Sequence, residues 1–293
     1  MKKSKDYYIV QIVSYITVAL VALVCVIPFI LILSASLSTE QEILKHGFGL
    51  LPRKFTLASY ELIFKNPKMI IDAYKVSGIV TVVGGLVGLF FTSMTAFVLM
   101  RKDFKYRNQF SFAFYFSSIF SAGLIPAYML IVTYLKWKNT YLALIVPGLL
   151  GVWNIFLMRN FMNGIPDSIA EAAKIDGAND FLIFIKLYLP LSGPGLATVG
   201  LFASLGYWNN WFSASLYIDR PSLYPLQYLL YRMLGSIKAM QDAANAGSIA
   251  TQDLPTETLK MAMAMVATGP IIFLYPFLQK YFIKGITVGS VKG

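Results

Sequence analysis

Six stretches of this chain carry no charged side chain: Ile12 to Leu33, Val76 to Met100, Gln109 to Leu135, Asn139 to Met158, Leu187 to Ile218 and Met261 to Gln279. Each is near or above the roughly 20 residues that a helix needs to cross the hydrocarbon core of a bilayer. Charge is costly at that depth, so its absence from six windows predicts six transmembrane helices. Polar, turn-rich segments separate them. Ser34 to Lys75 mixes Gly, Pro and apolar residues, which predicts a loop carrying short interfacial helices. Asp219 to Lys260 has no membrane character and is long enough for a small helical cap.

Within the spans, small residues and breakers stand out. Span two holds Gly78, Gly84, Gly85 and Gly88, at separations that let helix backbones approach closely, either for static packing or along a moving seam. Pro126 in span three removes an internal hydrogen bond and is expected to kink that helix, and Pro147-Gly148 repeats the device in span four. Interrupted helices at membrane depth occur where transporters line a cavity, and also in ordinary membrane helices. Span five gathers Tyr207, Trp208, Asn209, Asn210 and Trp211 inside an apolar run. Aromatic faces can stack on a sugar while amides meet its hydroxyls, so these five are the candidate substrate path. An interfacial aromatic belt, or polar glue between helices, is the other reading of the same residues.

Between spans four and five lies a polar insert. Pro166-Asp167 opens it, with Asp167 placed to cap a short helix over Ser168 to Ile175. Gly177 ends or sharply turns that helix, Asn179 and Asp180 can cap the next one over Phe181 to Tyr188, and Pro190 and Pro194 stop that one before span five. The result is a compact knob with small residues on one face. It is suited to contact with a soluble partner and has no side chains arranged for chemistry.

With 57% hydrophobic and 13% charged residues, the 293-residue chain lies far from the roughly one-quarter charge of soluble domains. Lys2, Lys3 and Lys5 precede the first oily run, but that run continues through Pro28-Phe29-Ile30 without a small-residue cleavage site, so it reads as a retained span. Lys and Arg near span ends set orientation. Lys2, Lys3 and Lys5, then Arg101, Lys102, Lys105 and Arg107, place the N-terminus, the second loop, the insert and the C-terminal tail in the cytoplasm. Over all loops the predicted inside has 13 Lys and Arg against 12 outside, so the assignment depends on the short segments. The formal charge of +11 fits a membrane near anionic lipid, and no basic patch suggests nucleic acid. The single Cys25 excludes an internal disulfide, and no metal cluster is offered. His46 is a lone histidine in an external loop, read as incidental. No phosphate-cradling GxxxxGK[ST] run is present, so the chain itself is not expected to bind or hydrolyse ATP. Without Asp, Glu or His inside the six windows, proton coupling is disfavoured. An ion-coupled secondary transporter and a non-transport membrane scaffold are the alternatives weighed.

Glu-Ala-Ala, three residues, Gly, nine residues, Ile, one residue and Leu-Pro is the signature of permease subunits of bacterial binding-protein-dependent ABC importers. This chain supplies Glu171, Ala172, Ala173, Gly177, Leu189 and Pro190 at those places, with Leu187 where Ile is usual. Asp176-Gly177-Ala178, the stretch over 207–210 and the closing KYFIKGITVGSVKG over 280–293 resemble the carbohydrate branch, particularly the maltose-type second permease and its subgroup for uronate-rich oligosaccharides. The resemblance implies an all-α, polytopic type I importer permease fold with six transmembrane helices, forming a single domain over 1–293. Its cytoplasmic coupling region would lie at about 164–194 and its external segments at 34–75 and 219–260. It also implies a second, unlike permease, two cytoplasmic ABC ATPases that bind ATP and Mg, an extracytoplasmic solute-binding protein, and an oligosaccharide cargo, acidic and alginate- or pectin-derived by subgroup. The location implied is the bacterial inner membrane. Glu171, Ala172, Ala173, Asp176, Gly177, Ala178, Leu187 and Pro190 would form the ATPase-coupling site. The glycine-spaced tail, with Gly285, Gly289 and Gly293, would run close to the ATPase interface.

Overall fold

A computed structural model describes residues 5–245, 256–269 and 272. The described chain is helical, with no strand beyond an isolated bridge between Ser38 and Phe55. Helix α1 is Lys5–Ser36, α2 Glu40–His46, α3 Ala58–Ile63 and α4 Pro67–Met100. Helix α5 is Arg107–Ile119, and α6 is Leu124–Met129, extended by a π-helical turn over Leu130–Tyr134. Helix α7 is Tyr141–Ile145, followed by a 3₁₀ turn over Val146–Gly148, and α8 is Val152–Met162. Next come α9 Asp167–Ile175, α10 Asp180–Ile183, a π-helical turn over Phe184–Tyr188, α11 Leu189–Leu191, α12 Gly193–Trp208 and α13 Phe212–Tyr217. Helix α14 is Leu226–Asn245, and α15 covers 256–269.

The described residues fall into two compact units. One is built from 5–67 and 232–269. Its α1 is apolar around its whole circumference, and Tyr7 to Ile30 stay essentially unburied by the rest of the chain, Cys25 included. Such a helix is stable only where lipid takes the place of water. Pro28 leaves it unbroken. In the same unit, Ser36 Oγ lies 2.8 Å from Tyr60 Oη, and Glu40 accepts from the amides of Glu257 and Thr258 at 2.8 and 2.9 Å.

The second unit is built on 68–231. Helix α4 is long and apolar enough to span alone, whereas three further spans are helix pairs bent sharply at short breaks. Arg107–Ile119 meets Leu124–Tyr134 at 108°, Tyr141–Gly148 meets Val152–Met162 at 49°, and Asp180–Leu191 meets Gly193–Trp208 at 86°. Five of the six expected spans therefore have a helical counterpart among the described residues, and the sixth window, Met261 to Gln279, extends beyond them. The glycine-spaced tail also lies outside the described residues.

The bends correct two expectations. Pro126 kinks nothing, because it is the third residue of α6, where backbone amides have no intrahelical acceptor to lose. The break lies upstream, where Phe120 is extended and Gly123 has φ +90°. Pro190 does not stop its helix either. The π-helical turn over Phe184–Tyr188 precedes it, and the chain stays helical to Leu191. The turn comes at Ser192, and Pro194 then opens α12 rather than ending a helix. In span four, the expected break at Pro147-Gly148 is present as the 3₁₀ turn.

Close packing in this unit uses the glycines of span two. A Cβ built on Gly84 would lie 2.7 Å from the Tyr207 ring, so only glycine lets that ring lie against α4. Gly85 faces Ser204 and Gly88 faces the Leu149 backbone, while Gly78 faces nothing within 4 Å. A core of Phe97, Met100, Met158, Met162, Ile183, Phe184, Tyr188 and Val199 joins the ends of α4 and α8 to the segment before α12. Its rings meet at 5.0 Å (Phe97 and Tyr188) and 5.4 Å (Phe97 and Phe184).

Candidate functional site: the α9 projection and the end of α12

Helix α9 rests on this core through its small residues. Ala170 and Ala173, with Ala178 beyond the turn, are half-buried against it. On the opposite face Glu171, Ala172, Ile175 and Asp176 are exposed, and Ile175 is 87% exposed, an apolar side chain with no cover from its own chain. The helix begins at Asp167, one residue earlier than expected, with Pro166 in the capping position. Asp167 makes no capping bond, and its carboxylate takes the Lys102 ammonium at 2.7 Å instead. Gly177 has φ +83°, as a left-handed exit from α9 requires. Asn179 then caps α10, its side-chain oxygen accepting from the Leu182 amide at 2.8 Å. Leu187 is half-buried beside the core, and Pro190 is exposed.

A charge cluster fastens this projection to the loop after α4. Arg101, only 14% exposed, donates through Nε to Asp103 at 2.8 Å, and through its two terminal nitrogens to Asp103 and Asp180. Lys174, in the last turn of α9, donates to Asp103 at 2.9 Å. Hydrogen bonds from Arg101 first, and Lys174 second, hold the Asp103 carboxyl well below the usual carboxylate range. The hydrogen bond to Asp103 correspondingly pushes Arg101 up. Arg101, Asp103 and Lys174 were not singled out as site residues from the sequence. Arg101 stood out there only as part of the positive loop that set orientation, and nothing in the spacing pairs that loop with residues 70 to 80 positions later.

The end of span five divides the five candidate path residues. Helix α12 ends at Trp208, so Asn209 and Asn210 stand at a break and not inside a continuous helix, as the uncharged window implied. Tyr207 is 6% exposed, and its hydroxyl donates to the Ile145 carbonyl at 2.8 Å. Asn210, just before α13, accepts from the Ser213 amide at 3.1 Å and donates to Ser213 Oγ at 3.0 Å. Trp208 is half-buried. Asn209 is exposed, with Gln227 Nε2 donating to its Oδ1 at 3.5 Å, and Trp211, 38% exposed, stacks on Tyr231 with ring centroids 4.3 Å apart. Gln227 and Tyr231 come from α14 and were not identified from the sequence. His46 lies 3.9 Å from Glu42, four residues before it on α2.

A bundle of broken spans with an exposed, buttressed helix between two of them is the arrangement expected of the membrane component of a transporter. The family model for the binding-protein-dependent transport system inner membrane component matches residues 84–288, and the chain belongs to that family. The polygalacturonan/rhamnogalacturonan transport system permease protein YtcP of Bacillus subtilis is 41% identical over 273 residues, 93% of this chain and 94% of that protein. The arabinooligosaccharides transport system permease protein AraQ of Halalkalibacterium halodurans is 30% identical over 284 residues, 94% of each. Among solved structures, a bacterial ABC transporter involved in the import of the acidic polysaccharide alginate matches with a TM-score of 0.78 and 28% identity, covering 96% of this chain and 99% of that one. The chain is thus an inner-membrane permease subunit of an ABC importer, with the type I importer fold.

Proposed function

We propose that this chain is one half of a pore driven by a separate engine, and that α9 is the part the engine moves. The supporting observation is the two-sidedness of α9. Its small face and ion pairs fix it to the core, while Glu171, Ala172, Ile175 and Asp176 face outward with nothing of their own chain to cover them. A rigid projection of this kind transmits displacement by contact. The engine in this reading is a pair of ABC ATPases that hold ATP and Mg, and a second, unlike permease completes the pore. A solute-binding protein delivers the cargo outside. The N-terminus, the loop over 101–107, α9 and the C-terminal tail lie in the cytoplasm, consistent with the Lys and Arg of the short segments.

The cargo in this reading is an acidic oligosaccharide. One relative is named for polygalacturonan/rhamnogalacturonan transport, and a structural neighbour is described for import of the acidic polysaccharide alginate. Asn209 and Trp211, extended by Gln227 and Tyr231, are the residues of this chain that border its path. Their exposed amides and stacked rings offer hydroxyl partners and a flat apolar face.

The test is reconstitution of the assembled importer with an Ile175→Asp permease. Loss of cargo-stimulated ATP hydrolysis and uptake, with the membrane subunits still assembled, is the expected result. Undiminished uptake would show that α9 transmits nothing.

A further inference from the structure

Beside α9 lies an open cavity of about 530 Å³, walled in part by Lys102, Arg107, Arg159, Asn163 and Asp167. Its charges do not balance. Asp167 is its one carboxylate, already engaged with Lys102 at 2.7 Å. Arg159, in the last turn of α8, has its Nε buried with no hydrogen-bond partner, and its Nη1 reaches only the Ser111 hydroxyl, at 3.3 Å. Neither Arg159 nor Arg107 has a carboxylate partner among the described residues. A buried guanidinium N–H without an acceptor is costly, and native structures rarely leave one so. The missing acceptor is therefore expected from beyond the described residues. A guanidinium fork matches the oxygens of a phosphate closely, and Arg107, the first residue of α5, adds both its charge and the amide end of a 13-residue helix. The cavity lies where α4 and α8 end and α5 begins.

We propose that this cavity binds an anionic phosphate group, carried by a phospholipid headgroup or as the free ion, with Arg159 and Arg107 as its ligands. The lipid source rests on the reading that 101–107 faces the cytoplasm, where anionic headgroups concentrate. An occupant would touch the 163–166 segment that leads into α9.

The test uses the whole importer, purified and delipidated. Native mass spectrometry reads retention of short-chain phosphatidylglycerol, with phosphatidylcholine as control, and equilibrium binding of labelled inorganic phosphate is read separately. Arg159→Gln is expected to lower occupancy by about tenfold, the scale of one charge-assisted contact. Arg107→Gln should lower it too, Arg159→Lys should keep part of it, and Lys105→Gln, an exposed lysine of the same loop outside the cavity lining, should change little. If Arg159→Gln fails to assemble, Arg107→Gln and Arg159→Lys carry the test. Phosphatidylglycerol retained against excess phosphate assigns the lipid, and displacement together with direct phosphate binding assigns the free ion. Both outcomes support the site. Equal binding in wild type, Arg107→Gln and Arg159→Lys, or an equal loss in Lys105→Gln, overturns it. So does Arg159→Gln that releases the second permease while phosphate and lipid binding stay unchanged, which would mean that a protein carboxylate is the partner. Cargo-stimulated ATP hydrolysis by the same preparation reports separately on the transport reading.

Discussion

Lys174 Nζ donates to Asp103 Oδ2 at 2.9 Å, tying the last turn of α9 to the loop that follows α4. Asp103 in turn is gripped by the half-buried Arg101, which also holds Asp180 at the start of α10. Asp103 and Arg101 together thus link the loop to both ends of the α9–α10 turn. Exposed ion pairs contribute about 0–1 kcal/mol each, so this cluster is a weak source of stability. Its stronger effect is on position. Asp103→Asn is expected to leave the complex folded while uptake per ATP falls, a shift of ~1 kcal/mol in the coupled geometry being about fivefold. Because the folded Asp103 pKa is depressed, the contribution is present above the ordinary carboxylate value and lost only as pH falls through the folded one. Uptake between pH 6 and 8, about two units or more above that value, should therefore show no step from this group. Unchanged coupling in Asp103→Asn, measured as transported cargo per phosphate released, would remove the clasp from the mechanism.

Gly177 offers a cleaner dissection, because a Cβ there would meet nothing within 4 Å. Any penalty is backbone strain at φ +83°, about 1–2 kcal/mol for an ordinary L-residue. Gly177→Ala should lower cargo-stimulated hydrolysis, and Gly177→Asn should recover part of it, since Asn tolerates this conformation better. Equal activity of the Ala and Asn variants would show that the left-handed turn is not what positions α9.

Tyr207 and Asn209, two positions apart, should respond differently to the same probe. Tyr207 is sealed against Gly84 and bonded to the Ile145 carbonyl, whereas Asn209 is exposed. In a Cys25→Ser chain, a cysteine substituted for Asn209 should react with a hydrophilic thiol reagent during turnover, and one substituted for Tyr207 should not. Tyr207→Phe is expected to cost about 1 kcal/mol of stability and to leave the cargo KM unchanged. Trp211→Ala should raise that KM with little change in thermal stability. A KM effect in Tyr207→Phe without loss of stability would return that residue to the path.

Chain composition made the spans legible but not their continuity. The absence of charge over Gln109 to Leu135 reports that those residues are kept from water, and it is equally true of a straight rod and of α5 and α6 meeting at 108°. Pro147 marked its break correctly, but the other prolines were a poor guide, because Pro126 and Pro194 fall in first turns and a π-helical turn precedes Pro190. The projection was better marked. Gly177 and Asn179 act locally, within a few residues, and both do what their chemistry predicts. Asp167 was misread because its partner, Lys102, is 65 residues away. The same distance problem hid Arg101 and Asp103, and it hid Gln227 and Tyr231 beside Asn209 and Trp211.

Glu40 presents the longest of these separations, and it sets a pH-dependent expectation. Its carboxylate accepts from the Glu257 and Thr258 amides at 2.8 and 2.9 Å, and from the Thr256 and Thr258 hydroxyls at 2.9 Å each. A carboxylate supplied by α2 thus caps the first turn of α15, where helix amides lack acceptors and negative charge is favoured. Burial alone would push the Glu40 pKa up, but the hydrogen bonds from Thr258, Glu257 and Thr256 outweigh it and hold the carboxyl below its ordinary value of 4.5. A depressed folded pKa means that the cap contributes fully above the ordinary value and is lost as pH falls through the folded one. Glu40→Ala should weaken the start of α15 by about 1–2 kcal/mol, as loss of a helix cap does, and Glu40→Gln should weaken it less, because one acceptor oxygen remains. Hydrogen exchange of the 256–269 peptide in the intact complex reads this directly: protection should fall in the order wild type, Gln, Ala at neutral pH. After correction for intrinsic exchange, wild-type protection should begin to fall only below 4.5. Equal protection in all three chains at neutral pH would mean that α15 is held by its packing and not by this carboxylate.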